Sequence, residues 1–354
     1  MDITPQIIKN CELITHTKNI YLNNIFFHID SQNINETLFV YDGNIKHITQ
    51  DYLTFKMQKL CLSNTRALPT IENANQIIFT AKKLKIKKIF AFGTGTINDL
   101  CKYASYCLSS EYTFCPTALS MNGISSSTSS LFDSQKNIKV SLKSQEPTQI
   151  IIQPDIIAYS PLKFTGSAIM DSLAFYTAYN DLIFASTQSN HYQINPHIHK
   201  TFQKLTKPIL SIIETGNASD FRQEENILKL FQMLCFSGLA MNYYNSSIPF
   251  SGGEHAIAHC LESKFPELSK KFLHGEIISA ILPFYYNLQI NYSGSNYISK
   301  DIIKQNNSID FIKIANFFNM PTNCTEIGIS EDDFKKCVQE AKFVRERPSL
   351  LHLI

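Results

Sequence analysis

Lys88–Ser105 reads KIFAFGTGTINDLCKYAS, an apolar run, a glycine turn and a helical pattern joined without a spacer. Lys88–Phe92 (KIFAF) has the continuous apolar character of a strand buried on both faces. Gly93 and Gly95 let the backbone turn sharply and approach a ligand closely. Beyond the turn, Leu100, Tyr103, Ala104 and Cys107 mark one face of an amphipathic helix. Free N–H groups at that helix start favour an anion such as a pyrophosphate, and Thr94 and Thr96 add hydroxyl donors. The turn departs from the Rossmann fingerprint, because Asn98 stands where a third glycine would be and the turn comes late in its domain. A phosphate cradle and a plain structural turn both remain open at this point.

Working outward, the first half alternates. Thr37–Tyr41 (TLFVY), Lys59–Ser63, Glu111–Cys115 and the interrupted run Ile150–Ile157 are strand candidates, and Ile71–Leu84 has helical spacing. Strands separated by helices imply βαβ units and a mostly parallel sheet. After residue 160 the texture changes to successive helical patterns: Thr165–Ser186, His199–Glu214, Glu224–Tyr244, Gly253–Lys264, Gly275–Leu288 and Glu331–Arg345. Asn291–Asn307 is polar and reads as a surface loop. The expected organisation is an α/β dinucleotide-binding domain over 1–160 and an α-helical metal-binding and substrate domain over 161–354.

Composition narrows the function classes. With 354 residues, 44% hydrophobic and 18% charged, the chain suits about two globular domains. A net charge of +2 gives no general attraction to nucleic acid, and Lys82-Lys83 and Lys87-Lys88 read as a solvated helix end. The start, MDITPQIIKN, lacks a signal-peptide pattern, and no run of about 18 apolar residues spans a membrane. Nine scattered cysteines without a CxxC pair fit reduced thiols. A cytoplasmic protein is expected.

Ser251–Glu262 (SGGEHAIAHCLE) places His255, His259 and Glu262 at i, i+4 and i+7, one face of a helix. Two imidazoles so arranged serve a metal centre, one as ligand and one as a proton-handling neighbour, or simply form a polar face. His274 opens a later helical segment as His-Gly-Glu, and a histidine at a helix start followed by glycine has little packing purpose and could close on the same centre. Asp171 sits within the apolar stretch Ala168–Ala178 and must be paired, bound to a metal, or turned to water. One Asp and two His leave an open coordination position, as catalytic sites need. His197 and His199 read as a solvent-facing loop, and His16, His28, His47, His191 and His352 have no companions at ligand spacing.

These segments, in this order, resemble the iron-containing alcohol dehydrogenase superfamily, and within it the sn-glycerol-1-phosphate dehydrogenases. The resemblance rests on Gly93–Ser105, on Pro116–Ser127 (PTALSMNGISSS), on Ser251–Glu262 and on the tail Phe343–Ile354 (FVRERPSLLHLI), and covers about residues 35 to 354. It implies a dehydroquinate synthase-like fold, an α/β domain and an all-α domain with the active site in the cleft between them. It assigns Asp171, His255 and His274 to one divalent metal, zinc foremost with iron or nickel as alternatives. It implies that Asp171 and His259 are catalytic, and that Asn122, Asp171 and His259 face the substrate. Gly93, Thr94, Gly95, Thr96, Ile97, Thr117, Ala118, Leu119, Ser120 and Ser126 would contact NAD or NADP, and Asp42 the adenosine ribose. The implied reaction interconverts dihydroxyacetone phosphate and sn-glycerol 1-phosphate, in phospholipid metabolism, by a homo-oligomer with no nucleic-acid partner. Three alternatives stand beside it: a small-alcohol dehydrogenase of the same superfamily, a dehydroquinate-synthase-like lyase, and a member that only binds nucleotide or metal. Two departures bear on the choice. Asn122 stands where the family has Asp, and Ala168-Ile169-Met170 replaces a small, glycine-containing stretch.

Overall fold

A computed structural model of the chain describes residue 17 and residues 19–22, 34–48, 57–136, 138–292, 309–345 and 347–354. His16, His28 and most of the loop expected at 291–307 lie outside the described residues. The chain divides into two compact units.

In the first unit the apolar runs are strands: β1 (Asn19–Leu22), β2 (Thr37–Tyr41), β3 (Gln58–Cys61), β4 (Lys88–Gly93), β5 (Glu111–Pro116) and β8 (Gln149–Ile152). They form one parallel sheet in the order β1-β8-β5-β4-β2-β3. β4 lies centrally, which is why KIFAF carries no polar face. Phe90 and Phe92 pack on Phe39 of β2, with ring centroids 5.3 and 5.6 Å apart. Helix α1 (Ile71–Lys83) is capped by Thr70, whose hydroxyl accepts from the Asn73 N–H. Its exposed Lys82 and Lys83 sit in the last turn, complementing the helix dipole. Helix α2 (Gly95–Leu108) follows β4 directly and ends at Ser109 in the left-handed conformation, φ 52°. The sequence reading missed β1 and an antiparallel hairpin, β6 (Thr128–Asp133) and β7 (Ile138–Lys143). The hairpin's alternation is masked by Ser129, which takes a buried position and donates its hydroxyl to the Asp99 carbonyl at 2.8 Å. Ile150–Ile157 resolves into β8 and a short helix, α3 (Pro154–Ala158), broken where Pro154 takes the first helical position.

The second unit is helical: α4 (Leu162–Leu173), α5 (Phe175–Gln188), α6 (Pro196–Thr215), then α8 (Gly253–Lys264), α9 (Glu267–Lys271), α10 (His274–Asn291), α11 (Phe311–Phe317) and α12 (Glu331–Ala341). Helix α7 (Glu224–Tyr243) comes between α6 and α8 in the chain. The long helix expected at 165–186 is two helices meeting at Ala174, whose carbonyl also accepts the Thr177 hydroxyl at 3.0 Å. His199 is not on a solvent-facing loop. It lies buried in α6, stacked on Tyr179 with ring centroids 4.4 Å apart.

A single boundary at residue 160 is also corrected. Phe221–Tyr243, which includes α7, belongs to the first unit, and Ser120–Asn122 belongs to the second. The reason for the first exchange is specific packing. α7 is apolar nearly all round, and a Cβ on Gly238 would lie 2.4 Å from Ser125 Oγ and 2.7 Å from Ser126 N. Ser125 donates to the Cys235 carbonyl, and Asn242 accepts from the Ser127 N–H. No helix among the described residues is long and apolar enough to cross a membrane.

Candidate metal centre and nucleotide loops

Three adjacent strands of the first unit, β2, β4 and β5, deliver Asp42, Gly93 and Thr117 to the same edge of the sheet. Val40 pairs with Ala91, Gly93 pairs with Pro116, and the Thr117 N–H donates to the Gly93 carbonyl at 3.0 Å. This is the carboxyl edge of a parallel sheet, where such sheets bind ligands. A Cβ on Gly93 would lie 2.6 Å from the Ile97 side chain, so glycine sets the tight entry into α2. Thr94, Gly95, Thr96 and Ile97 form the first turn of α2, with the two threonines only partly buried. Thr117, Ala118 and Leu119 are buried, and Ser120 falls in the second unit.

Two of the expected nucleotide contacts are engaged inside the protein. Asp42 accepts the Ala67 N–H at 3.1 Å, and burial raises its carboxyl against that bond, the Asn44 N–H and Arg66. Ser126 is buried and its hydroxyl donates to the Gly123 carbonyl at 3.0 Å. It is held by Lys102, a fully buried lysine whose Nζ pairs with Asp99 at 2.9 Å and donates to Gly123 O, Ser126 Oγ and Thr128 O. Asn98 donates to Ile124 O in the same loop. The Asn-Asp and Lys of the turn motif thus shape the 123–130 loop, a role that no spacing in the sequence displays.

In the second unit, α4 carries Asp171, α8 carries His255 and His259, and α10 begins at His274. Asp171, His255 and His274 each offer a donor atom, all within 4.8 Å of one another. Gly275 has a packing role. A Cβ there would lie 2.1 Å from the Ser167 carbonyl oxygen, so glycine lets α10 touch the backbone of α4 and carries His274 to Asp171. Gly253 does the same for α8, where a Cβ would lie 2.1 Å from the Tyr285 hydroxyl.

The donor set fits a tetrahedral divalent cation. His255 Nε2 lies 3.2 Å from Asp171 Oδ1, close to the roughly 3.4 Å that separates two ligands of an ion bound at about 2.1 Å. Each ligand imidazole has a carboxylate on its other nitrogen, which fixes the ring and raises its basicity. His255 Nδ1 lies 2.9 Å from Glu254 Oε1, and His274 Nδ1 lies 3.2 Å from Glu262 Oε1. The other Glu262 oxygen is 3.3 Å from His259 Nδ1, within ion-pair range but out of line for a hydrogen bond, so one carboxylate lies against two imidazoles. Burial opposes charge on Asp171, but the His255 hydrogen bond and the nearby His255 and His274 charges outweigh it and hold the carboxyl below its usual range. Burial likewise opposes charge on His255, and Asp171 and Glu254 overcome it and raise the imidazole. His274 keeps 28% of its side chain exposed against 6% for His255, so the group is open on the His274 side.

Glu262 was placed on this face by spacing, but its bridging role and that of Glu254 were not legible. Replacing Glu262 with Gln is expected to weaken metal binding by about 10- to 100-fold without unfolding the chain. Competition with a chromogenic chelator measures it, and unchanged affinity would remove Glu262 from the centre.

Asn122 also finds a physical account. Its N–H donates to Asp171 Oδ2 at 3.0 Å and its side-chain amide donates to the Asp171 carbonyl at 3.1 Å. An aspartate here could not donate to that carbonyl and would face a second carboxylate. Met170 is fully buried in α4. Behind the centre, Asp181 accepts from Gly253 N, Leu350 N and Tyr285 Oη, tying the start of α8 to the C-terminal stretch. Burial and then the charge of Glu254 push its carboxyl up to about 7.

The sequence model of the iron-containing alcohol dehydrogenases matches residues 21–161, and the chain resembles that superfamily of oxidoreductases. Within it, the chain is similar to glycerol-1-phosphate dehydrogenases. It is 27% identical over 279 residues to the glycerol-1-phosphate dehydrogenase (NAD(P)+) of Methanosarcina mazei, covering 78% of this chain and 71% of that one. It is 26% identical over 353 residues to the enzyme of that name from Sulfolobus acidocaldarius, covering 96% and 92%. Among solved structures, the fold matches a probable glycerol dehydrogenase from Sinorhizobium meliloti with a TM-score of 0.68 at 13% identity, covering 89% and 84%. It also matches a sulfoacetaldehyde reductase from Bifidobacterium kashiwanohense with a TM-score of 0.67 at 15% identity, covering 91% and 90%.

Proposed function

We propose that this protein is a metal-dependent NAD(P) dehydrogenase interconverting dihydroxyacetone phosphate and sn-glycerol 1-phosphate. The observation that carries the reading is the grouping of Asp171, His255 and His274, each imidazole backed by a carboxylate. The names of the relatives supply the substrate.

Asp171, His255 and His274 would hold a divalent ion, zinc being best suited to this donor set, which supplies Lewis-acid polarisation of the substrate carbonyl. Gly93 to Ile97 and Thr117 to Leu119 would seat the dinucleotide phosphates on the first turn of α2, and reduced nicotinamide supplies the hydride. His259 is the residue we assign to proton transfer. Its Nε2 faces Arg345 Nη2 at 2.6 Å, so in this state Nε2 accepts and the ring is neutral. A substrate oxygen that takes over the Arg345 donor frees Nε2 to carry a proton, and Glu262 on Nδ1 stabilises the imidazolium formed. In the direction of ketone reduction that proton is taken from solvent, and Nε2 gives it to the substrate oxygen as hydride addition makes it an alcohol.

The test is oxidation of NADH or NADPH driven by dihydroxyacetone phosphate, before and after chelation. The rate is expected to fall by roughly a thousandfold on chelation and to return with zinc, with sn-glycerol 1-phosphate as product. A rate indifferent to a strong chelator, or a product of the opposite configuration, would overturn it.

A further inference from the structure

The C-terminal stretch brings in two arginines, Arg345 and Arg347, both partly buried, and among the described residues their hydrogen-bond partners are all neutral. Arg345 Nη1 donates to Ser251 Oγ, and its Nη2 to His259 Nε2. Arg347 Nη1 and Nη2 both reach Ser247 Oγ at 3.2 Å, and Nη1 also approaches the Ser251 carbonyl at 3.4 Å. Among the described residues neither guanidinium makes an ion pair. Desolvation and then the charge of Arg347 lower the Arg345 guanidinium to about 9, while Glu254 and Glu262 act on it only from a distance.

Two like charges held near each other without a counter-ion are costly in a folded protein. The stretch that carries them is nonetheless fixed. The Leu350 N–H donates to the buried Asp181 carboxylate at 3.0 Å, so the arginines are presented rather than left loose. A guanidinium presents five donors in a planar fork, and Arg345 has committed two of its nitrogens while bridging the imidazole assigned to proton transfer and the Ser251 hydroxyl. Ser247 and Ser251 add hydroxyls on the same side. The missing component is a compact, multiply charged acceptor.

We propose that Arg345 and Arg347, with the hydroxyls of Ser247 and Ser251, form the subsite for the phosphate dianion of the substrate. This rests on the dehydrogenase reading above, and names the residues by which that site would tell a phosphorylated three-carbon ketone from its unphosphorylated counterpart. Arg345 then serves both ends of the substrate, with the nitrogen that His259 held passing to the substrate oxygen and the rest of its fork toward the phosphate.

The experiment compares dihydroxyacetone phosphate with dihydroxyacetone, and follows inorganic phosphate by thermal melting in the full chain. Arg347→Gln is expected to lower kcat/KM for the phosphorylated substrate by roughly 100-fold more than for the unphosphorylated one, since a charge-assisted bidentate contact is lost. The KM for the dinucleotide is expected to stay as it was. Equal losses on both substrates, or a loss that appears in the dinucleotide KM, would overturn the subsite; the latter would assign the arginines to the cofactor's phosphates. Inorganic phosphate is expected to raise the melting temperature of the unaltered protein and not that of Arg347→Gln. Absence of any rise in the unaltered protein overturns the proposal too. If neither ketone is turned over, the dehydrogenase reading fails while the melting experiment still judges the anion site. Should Arg347→Gln fail to fold, Ser247→Ala takes its place, with about a 10-fold selective loss expected.

Discussion

His255→Ala is expected to empty the metal centre and to lower kcat/KM by at least about 10³-fold. His255 is the central ligand, with Nε2 3.2 Å from Asp171 and Nδ1 2.9 Å from Glu254. Its loss removes one of three donors and leaves two buried carboxylates facing a hole. If the ion supplies about 4 kcal/mol of transition-state stabilisation, its absence costs that factor. Breaking a buried pair from one side costs about 3–5 kcal/mol of stability, so the variant is also expected to melt early. Asp171→Asn separates the two effects, because it nearly preserves shape while removing the ligand charge. Elemental analysis of both variants, alongside their melting curves, reads the outcome. A His255→Ala protein that keeps a full complement of metal and its rate would end the metal-centre reading.

Gly275→Ala is expected to be the most damaging single methyl group in the second unit. The new Cβ would sit 2.1 Å from the Ser167 carbonyl oxygen and 2.6 Å from its carbon, both backbone atoms that no rotamer change can move. α10 must back away from α4, at a cost of about 3 kcal/mol, typical of overpacking. His274 is the preceding residue, so the same displacement draws it from Asp171. Metal affinity is expected to fall about 10-fold or more, even in the fraction that folds. Denaturant unfolding with and without zinc measures both effects. Stability within about 0.5 kcal/mol of the parent would show that the helices are not in the contact described.

Much of the first unit was readable because a central parallel strand must be apolar on both faces. TLFVY and KIFAF could hardly be anything else, and the glycines after β4 mark its turn. Weakly patterned strands escaped: β1 has four residues, and the buried Ser129 conceals the alternation of β6. Asp171 drew notice as a carboxylate in an apolar helix, His255 through its spacing to His259 and His274 by opening a later helix, and the family resemblance assigned the three to one ion. Glu254 escaped because its neighbours in sequence say nothing of the Thr177 hydroxyl and the Gly252 N–H that it also binds.

The sequence by itself determined the strongly patterned strands and helices, and which side chains could carry chemistry, since burial period and donor type are local properties. Tertiary structure alone decided the partnerships. It decided that α7 packs with the first unit, that Glu262 lies against two imidazoles, that Asn122 donates where an aspartate would repel, and that Arg345 meets His259 while neither it nor Arg347 makes an ion pair among the described residues. These depend on how closely elements distant in the chain approach. That distance is set by the absence of a Cβ at Gly238, Gly253 and Gly275, and by the atoms that happen to lie opposite.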